Sequence, residues 1–264
     1  MSSLLESLTS FDPDLLLQPA VALRLQVSDN DSESTVHKHR KGQLILALHG
    51  SVTCKVPDGL WLVPPHCAVW IPGGLMHRNQ VSANGRLCFL FVEPDVAALP
   101  DQCCTLRMTP LLLELIQRLA TLPQDYATTG PTARLVAVLL DELEQMPTAQ
   151  LYLPISRDKR LRRIAAALMA DPSNRYTIAE WATQVAMSER TLARLLIRET
   201  GMTFGRWRQQ LHLLVALQRL AGGMSVQLVS GDLGYESVSA FITMFKKATG
   251  KSPARYFADQ SSRG

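Results

Sequence analysis

Two groups of residues in this 264-residue chain have types and spacings suited to chemistry. The first is His37-Lys38-His39-Arg40-Lys41-Gly42-Gln43 with Gly50 beyond it, followed downstream by Pro72-Gly73-Gly74-Leu75-Met76-His77. His37 and His39 are two apart, so on a strand they share one face. Imidazole suits zinc, nickel, iron, copper or manganese. Gln43 supplies only a neutral amide oxygen, which leaves a cation's charge uncompensated. Two readings stand side by side. His37 and His39 can hold a divalent metal ion, or they can hydrogen-bond a small-molecule effector. The second group is basic and lies near the C-terminus. Ser188, Glu189, Arg190 and Arg194 form one stretch; Ser237, Ser239, Thr243, Lys246, Lys247 and Lys251 form another. Arg190 and Arg194 are helix neighbours at i and i+4, and arginine is the commonest bidentate reader of guanine. The hydroxyls and lysines of the second stretch suit one or two base contacts and several phosphates.

The elements around these groups differ between the two halves. Apolar alternation and short apolar runs at 20–27, 43–48, 51–56, 60–63, 68–71 and 86–92 read as strands. Turn residues punctuate them, at Pro57-Asp58-Gly59, Pro64-Pro65, Pro72-Gly73-Gly74 and Ser82-Ala83-Asn84-Gly85. Short strands at this spacing indicate a small barrel or sandwich. Two helices follow, near 109–122 and 130–146, the second with an apolar stripe of Leu135, Val138, Leu139 and Leu143. Residues 151–155 read as an extended linker. We place the domain boundary there, giving domains 1–150 and 151–264.

Charge divides in the same place. The total of +4 conceals a net of −5 over residues 1–150 and +9 over 151–264. A basic domain joined to an acidic one points to a polyanionic partner. The apolar runs are too short to span a bilayer, and Met1–Asp14 lacks the basic start of a signal peptide. All five cysteines lie in the first half and none forms a CxxC pair. Reduced thiols in a cytoplasm are the expectation, with Cys54, Cys67 and Cys88 in the core and Cys103-Cys104 as an oxidant-sensing alternative.

The second half repeats itself. Gly201-Met202-Thr203-Phe204-Gly205-Arg206-Trp207 and Gly250-Lys251-Ser252-Pro253-Ala254-Arg255-Tyr256 both spell G-x-[ST]-x-x-R-aromatic, 49 residues apart. The same offset pairs Leu192 with Phe241 and Leu196 with Phe245. Upstream the offset is 48, so one residue is inserted at a turn. Such a repeat is one supersecondary unit used twice. Each unit reads as helix, tight turn, helix. Thr177 and Ser225 cap the first helices, and Ser188 and Ser237 or Ser239 cap the second. Ala186-Met187 makes one turn and Gly234 the other. This is the helix-turn-helix plan. A connecting helix of about 15 residues would span ~22 Å between the units.

At Gly234, Tyr235, Ser237, Phe241, Phe245, Lys246, Gly250, Ser252, Pro253 and Tyr256 the chain resembles the C-terminal signature of AraC/XylS-type transcription regulators. The upstream unit matches at Ala182, Ser188, Leu192, Arg194, Gly201 and Leu211. Leu228, Ser230 and Gln210 depart from the family's usual Glu, Ala and Arg. The motifs H-x-H-x3-[EQ]-x6-G and P-x-G-x2-H resemble those of the cupin barrel, with Gln43 in the Glu position, which implies that His37, His39, Gln43 and His77 hold a divalent metal ion, or line an effector pocket in its place. The resemblance implies an α+β chain of two domains, an N-terminal cupin-like barrel with a helical hairpin and a C-terminal all-α domain with two helix-turn-helix units. It implies a homodimer acting on promoter double-stranded DNA, with RNA polymerase as a further partner of an activator. The arrangement of HKHRKGQL, then DGLWLVPPHCAVWIPGGLMH, then WRQQLHLLVALQRLAGG resembles the subgroup of nitroimidazole-resistance regulators, which implies control of a neighbouring efflux gene and of its own gene. A metal-dependent cupin enzyme carrying a DNA-binding domain is the alternative.

Overall fold

Alternating apolar residues drive the first half into antiparallel sheets. The computed structural model describes residues 11–27, 32–50, 52–57, 59–63, 67–81, 85–149 and 152–261. Asp58, the expected turns at 64–65 and 82–84, and the boundary residues 150 and 151 lie outside these. The chain divides into two compact units, principally between Leu151 and Tyr152.

In the N-terminal unit the strands are β1 (Ala20–Gln26), β2 (Ser32–Glu33), β3 (Gly42–His49), β4 (Val52–Val56), β5 (Gly59–Val63), β6 (Cys67–Ile71), β7 (Arg78–Val81), β8 (Arg86–Val92), β9 (Cys104–Arg107) and β10 (Thr148–Ala149). One sheet runs β1-β8-β3-β6-β9-β10; a second runs β5-β4-β7-β2. Gln43 sits opposite Ile71 on one side and Phe91 on the other. Leu46 sits opposite Ala68 and Cys88, and Cys88 opposite Arg24. Successive side chains point to opposite faces. Gln43 and Phe91 therefore line one face, and Arg24 and Leu46 the other. Six strands fall within a residue or two of expectation. The strands β2, β7, β9 and β10 were not expected, because their segments are short or polar and lack alternation.

Two helices follow, α1 (Pro110–Leu119) and α2 (Pro131–Glu144). Thr109 caps α1, accepting from the Leu112 amide at 3.1 Å. The buried stripe of α2 is Val136, Leu139, Leu140 and Leu143, whereas Val138 is 48% exposed. This corrects the expected stripe by one helix phase. Both sets fit helical spacing, at i, i+3, i+4, i+8 from Leu135 and at i, i+3, i+4, i+7 from Val136, and the second faces inward.

The C-terminal unit begins with a short strand, β11 (Tyr152–Pro154), and continues in helices. These are α3 (Lys159–Ala170), α4 (Ile178–Gln184), α5 (Glu189–Thr200), α6 (Phe204–Ala221), α7 (Val226–Asp232), α8 (Val238–Thr249) and α9 (Pro253–Ser261). Tyr152–Pro154 are extended, as read from the sequence, and are tied to α6 within this unit. Trp207 Nε1 donates to the Pro154 carbonyl at 2.9 Å, and Gln210 Nε2 to the Tyr152 carbonyl at 3.1 Å. The 49-residue repeat is physical. The pairs α4/α5 and α7/α8 have matching lengths of 7 and 12 residues. Ser188 and Ser237 cap the longer helices, which end at left-handed Gly201 and Gly250. Of the six residues whose helical spacing marks them as core, Phe241, Phe245, Leu192, Leu196 and Trp181 are buried, whereas Tyr235 is only half-buried. The connecting helix α6 has 18 residues, a rise of ~27 Å rather than ~22 Å.

Candidate functional site

The three histidines meet in the N-terminal unit. His37 and His77 pair backbone to backbone, each amide donating to the other's carbonyl at 2.9 Å. His37, His39 and His77 each bring one ring nitrogen into a cluster whose atoms lie within 4.8 Å of one another. Glycine makes the approach possible. A Cβ on Gly73 would stand 2.0 Å from the Arg40 carbonyl oxygen, and the neighbouring Gly74 amide donates to the His39 carbonyl at 2.8 Å.

The hydrogen bonds fix the tautomers. Nδ1 of His37 faces the Thr35 carbonyl at 2.8 Å, that of His39 faces the Lys41 carbonyl, and that of His77 faces the Leu75 carbonyl at 2.9 Å. A carbonyl oxygen only accepts, so each Nδ1 carries the proton and each Nε2 keeps its lone pair. Gln43, 1% exposed, aims Oε1 at His77 Nε2 at 2.8 Å and at His39 Nε2 at 3.4 Å. An amide oxygen against an imidazole lone pair is acceptor against acceptor. A cation between them relieves this, and so does turning the amide to present its N–H groups. Burial pushes the His77 imidazole down to about 4, with His37 and His39 adding to the effect, and burial also lowers His39. Both rings are therefore neutral, as a metal ligand must be.

Sequence reasoning missed the frame beneath this cluster. Lys41 is fully buried, with Nζ bonded to the Glu93 carboxylate and to the Gln18 carbonyl at 2.9 Å. Asp14 accepts the Lys41 amide at 3.0 Å. These partners lie 23 to 52 residues away in sequence, with no motif to link them. The cysteines give no reactive thiol. Burial pushes Cys67, Cys88, Cys103 and Cys104 up to about 11, 12, 12 and 11, and raises Cys54 as well. Burial thus favours the thiol over the thiolate at every cysteine, which weighs against oxidant sensing by Cys103-Cys104.

In the C-terminal unit, Glu189, Arg190 and Arg194 are exposed on α5 while Leu192, Leu195 and Leu196 are buried beneath them. Ser188 accepts from the Thr191 amide at 3.2 Å, so its hydroxyl serves as the cap. Arg194, Arg160 and Arg198 line one cavity of about 490 Å³. The sequence places Arg160 in a basic cluster with Arg157, Lys159, Arg162 and Arg163, read as DNA-facing or as a solvated helix face, and Arg198 continues the i+4 row of Arg190 and Arg194. On α8, Ser239, Thr243, Lys246 and Lys247 are exposed, and Lys251 follows the helix. Ser237 caps by accepting from the Ala240 amide at 3.2 Å. Thr243 donates its hydroxyl to the Ser239 carbonyl at 2.9 Å, which leaves only its lone pairs for an outside donor. Arg206 and Arg255, at equivalent repeat positions, are exposed, and neither forms an ion pair among the described residues.

The turns differ. Ala186 has φ +52, a left-handed backbone that costs a non-glycine residue about 1 kcal/mol. Its counterpart Gly234 has φ +73. A Cβ there would stand 2.9 Å from the Ser173 carbonyl oxygen. Arg175 donates to the Gly234 carbonyl at 2.7 Å. His212 is buried between the Tyr235 hydroxyl at 3.2 Å and the Pro172 carbonyl at 3.0 Å. Burial holds His212 down at about 4 and raises Tyr235 to about 12. The departures have places too. Ser230 is buried with its hydroxyl near the Ser237 carbonyl at 3.4 Å, and Leu228 is 60% exposed.

A helix-turn-helix domain family matches residues 181–259, from within α4 into α9. The chain is 49% identical to the HTH-type transcriptional regulator NimR of Escherichia coli over 252 residues, 96% of this chain and 92% of that one. The chain belongs to the AraC-type family of helix-turn-helix transcription regulators. It is 28% identical to the regulator RipA of Corynebacterium glutamicum over 111 residues, 42% of this chain and 34% of that one. Among solved structures, the DNA-binding domain of AdpA in complex with a target DNA is 29% identical, with a TM-score of 0.37, covering 40% of this chain and 96% of that one. As an AraC-type regulator the chain binds DNA and controls transcription; it is not an enzyme. Among the described residues no helix is long and apolar enough to cross a membrane.

Proposed function

We propose that this AraC-type regulator reads promoter DNA with two helix-turn-helix units of unequal specificity and senses through a cupin-like barrel. The observation that carries the reading is the pair of equivalent helix pairs, with Arg190 and Arg194 exposed on the first and Ser239 and Thr243 at the same repeat positions of the second. The helices α5 and α8 are the DNA readers. Arg190 and Arg194 read base edges; Ser237, Lys246, Lys247 and Lys251 hold phosphates, with Ser188 and Glu189 at the start of the first reader. In the N-terminal unit, the donor set of His37, His39 and His77 with Gln43 fits a divalent metal ion. Three Nε2 lone pairs converge, every Nδ1 is tied to a carbonyl, and the Gln43 oxygen faces lone pairs that a cation would satisfy. The ion, when bound, supplies a Lewis-acidic point of attachment for an effector's oxygen or nitrogen.

Exposed Leu111 and Val138 on α1 and α2 support this helical hairpin as the homodimer contact. RNA polymerase is a further partner if the protein activates. The resemblance to nitroimidazole-resistance regulators supports control of a neighbouring transporter gene and of its own gene, in the cytoplasm.

Genome-wide footprinting of the purified protein, with and without divalent metal, tests the reading. Discrete sites, one beside a transporter gene, are the expected result; binding without discrete sites would refute it. Metal content by mass spectrometry tests the sensor site. About one ion per chain is expected, lost in His77→Ala and bound more tightly in Gln43→Glu.

A further inference from the structure

Away from the histidine cluster, the opposite face of the first sheet holds a cavity of about 710 Å³. Leu46 from β3 and Met108 and Leu113 near and on α1 give it apolar lining. Arg24 and Arg86 also line it. In the β1/β8 register Arg24 lies opposite Cys88 and Arg86 opposite Gln26, so the two arginines are diagonal neighbours on one face. Such neighbours lie about 7–8 Å apart, within reach for long side chains. The half of the chain around them carries a net charge of −5, yet neither arginine pairs with a carboxylate among the described residues. Arg24 Nη2 donates to the neutral Gln117 Oε1 at 3.1 Å. Two guanidinium groups of like charge are thus held beside an apolar hollow without a counter-ion.

We propose that this cavity binds a small monocarboxylate with an apolar body, its carboxylate bridging Arg24 and Arg86 and its body against Leu46 and Leu113. A guanidinium fork matches carboxylate geometry bidentately, and the volume lies in the range of small-molecule sites. This deepens the sensor reading above by naming a ligand class and a second site, separate from His37, His39 and His77. Strands β3 and β8 carry residues of both sites, Leu46 and Gln43 on one, Arg86 and Phe91 on the other, so the same sheet answers to both.

Calorimetric titration of the full-length protein with sodium octanoate, and with octan-1-ol as the neutral counterpart, tests this. One octanoate per chain is expected, with the alcohol at least tenfold weaker. Arg24→Gln and Arg86→Gln should each weaken octanoate about tenfold and leave the alcohol unchanged. Both arginines are exposed, so neither change threatens folding. His77→Ala should keep octanoate binding, which separates this site from the metal reading, and the titration needs no DNA. Equal affinity for acid and alcohol would overturn the proposal, as would undiminished octanoate binding by both glutamine variants. Dissociation of a dimer by Arg86→Gln, with octanoate affinity unchanged, would make this face a contact between copies and would overturn it equally.

Discussion

The α4/α5 and α7/α8 pairs share lengths, serine caps and left-handed glycine stops, yet they invest their residues differently. On α5, exposed arginines stand at positions 190 and 194. At the same repeat positions α8 has Ser239 and Thr243, and the Thr243 hydroxyl is spent on its own helix. The turns reverse the pattern. The first turn tolerates a strained alanine, whereas the second is pinned by Gly234 against Ser173, by Arg175 and by the His212–Tyr235 contact. The two pairs thus differ in kind: the first exposes arginines beside a strained turn, and the second exposes hydroxyls and lysines beside a firmly held one.

The largest expected effect strikes the scaffold. His212 is neutral when folded, with its proton affinity depressed from 6.5 to about 4. Its contribution is therefore present above pH 6.5 and is lost as pH falls from 6.5 towards 4, on the order of 3 kcal/mol. Hydrogen exchange should show α6–α8 losing protection over that window relative to His212→Gln, which cannot charge. Equal pH dependence in both proteins would remove His212 from the account. Next comes the reader. Arg194→Ala should cost about 1–3 kcal/mol on the cognate site and relax one base position. Turn substitutions follow. Gly234→Ala should destabilise by about 1–3 kcal/mol, combining a poor φ with the approach to Ser173, while Ala186→Gly should change stability by less than about 1 kcal/mol, in the stabilising direction. Denaturant midpoints check both, and equal costs at the two turns would erase their difference. The smallest effect is Lys247→Ala. It should weaken all DNA alike and reduce the salt slope by about 1, read from binding isotherms at several salt concentrations.

Much of this was legible in the residues because local rules carried it. The caps at Thr177, Ser188 and Ser225, the glycine stops and the 49-residue repeat are local signals, and the six alternating strands obey the pleat. The histidine motifs likewise placed His37, His39 and His77 on one patch. What escaped depends on distance. Strand β9 is held by pairing with β6 and not by its own Cys-Thr-Leu-Arg pattern. The phase of α2 is not fixed by its own sequence because Leu135 and Val136 both offer an apolar start, and packing against α1 chooses between them. Buried Lys41 with Glu93 and Asp14, and the cavity beside Arg24 and Arg86, arise from partners dozens of residues apart.

The division of labour between the pairs is tested most directly by base-by-base affinity profiling of Arg194→Ala and Thr243→Ala, which alter equivalent positions. The account predicts that Arg194→Ala loses about 1–3 kcal/mol and blurs one base position, while Thr243→Ala loses less than about 1 kcal/mol with its sequence preference unchanged. An equal or larger, base-specific loss in Thr243→Ala, or a uniform loss across all DNA in Arg194→Ala, would contradict it.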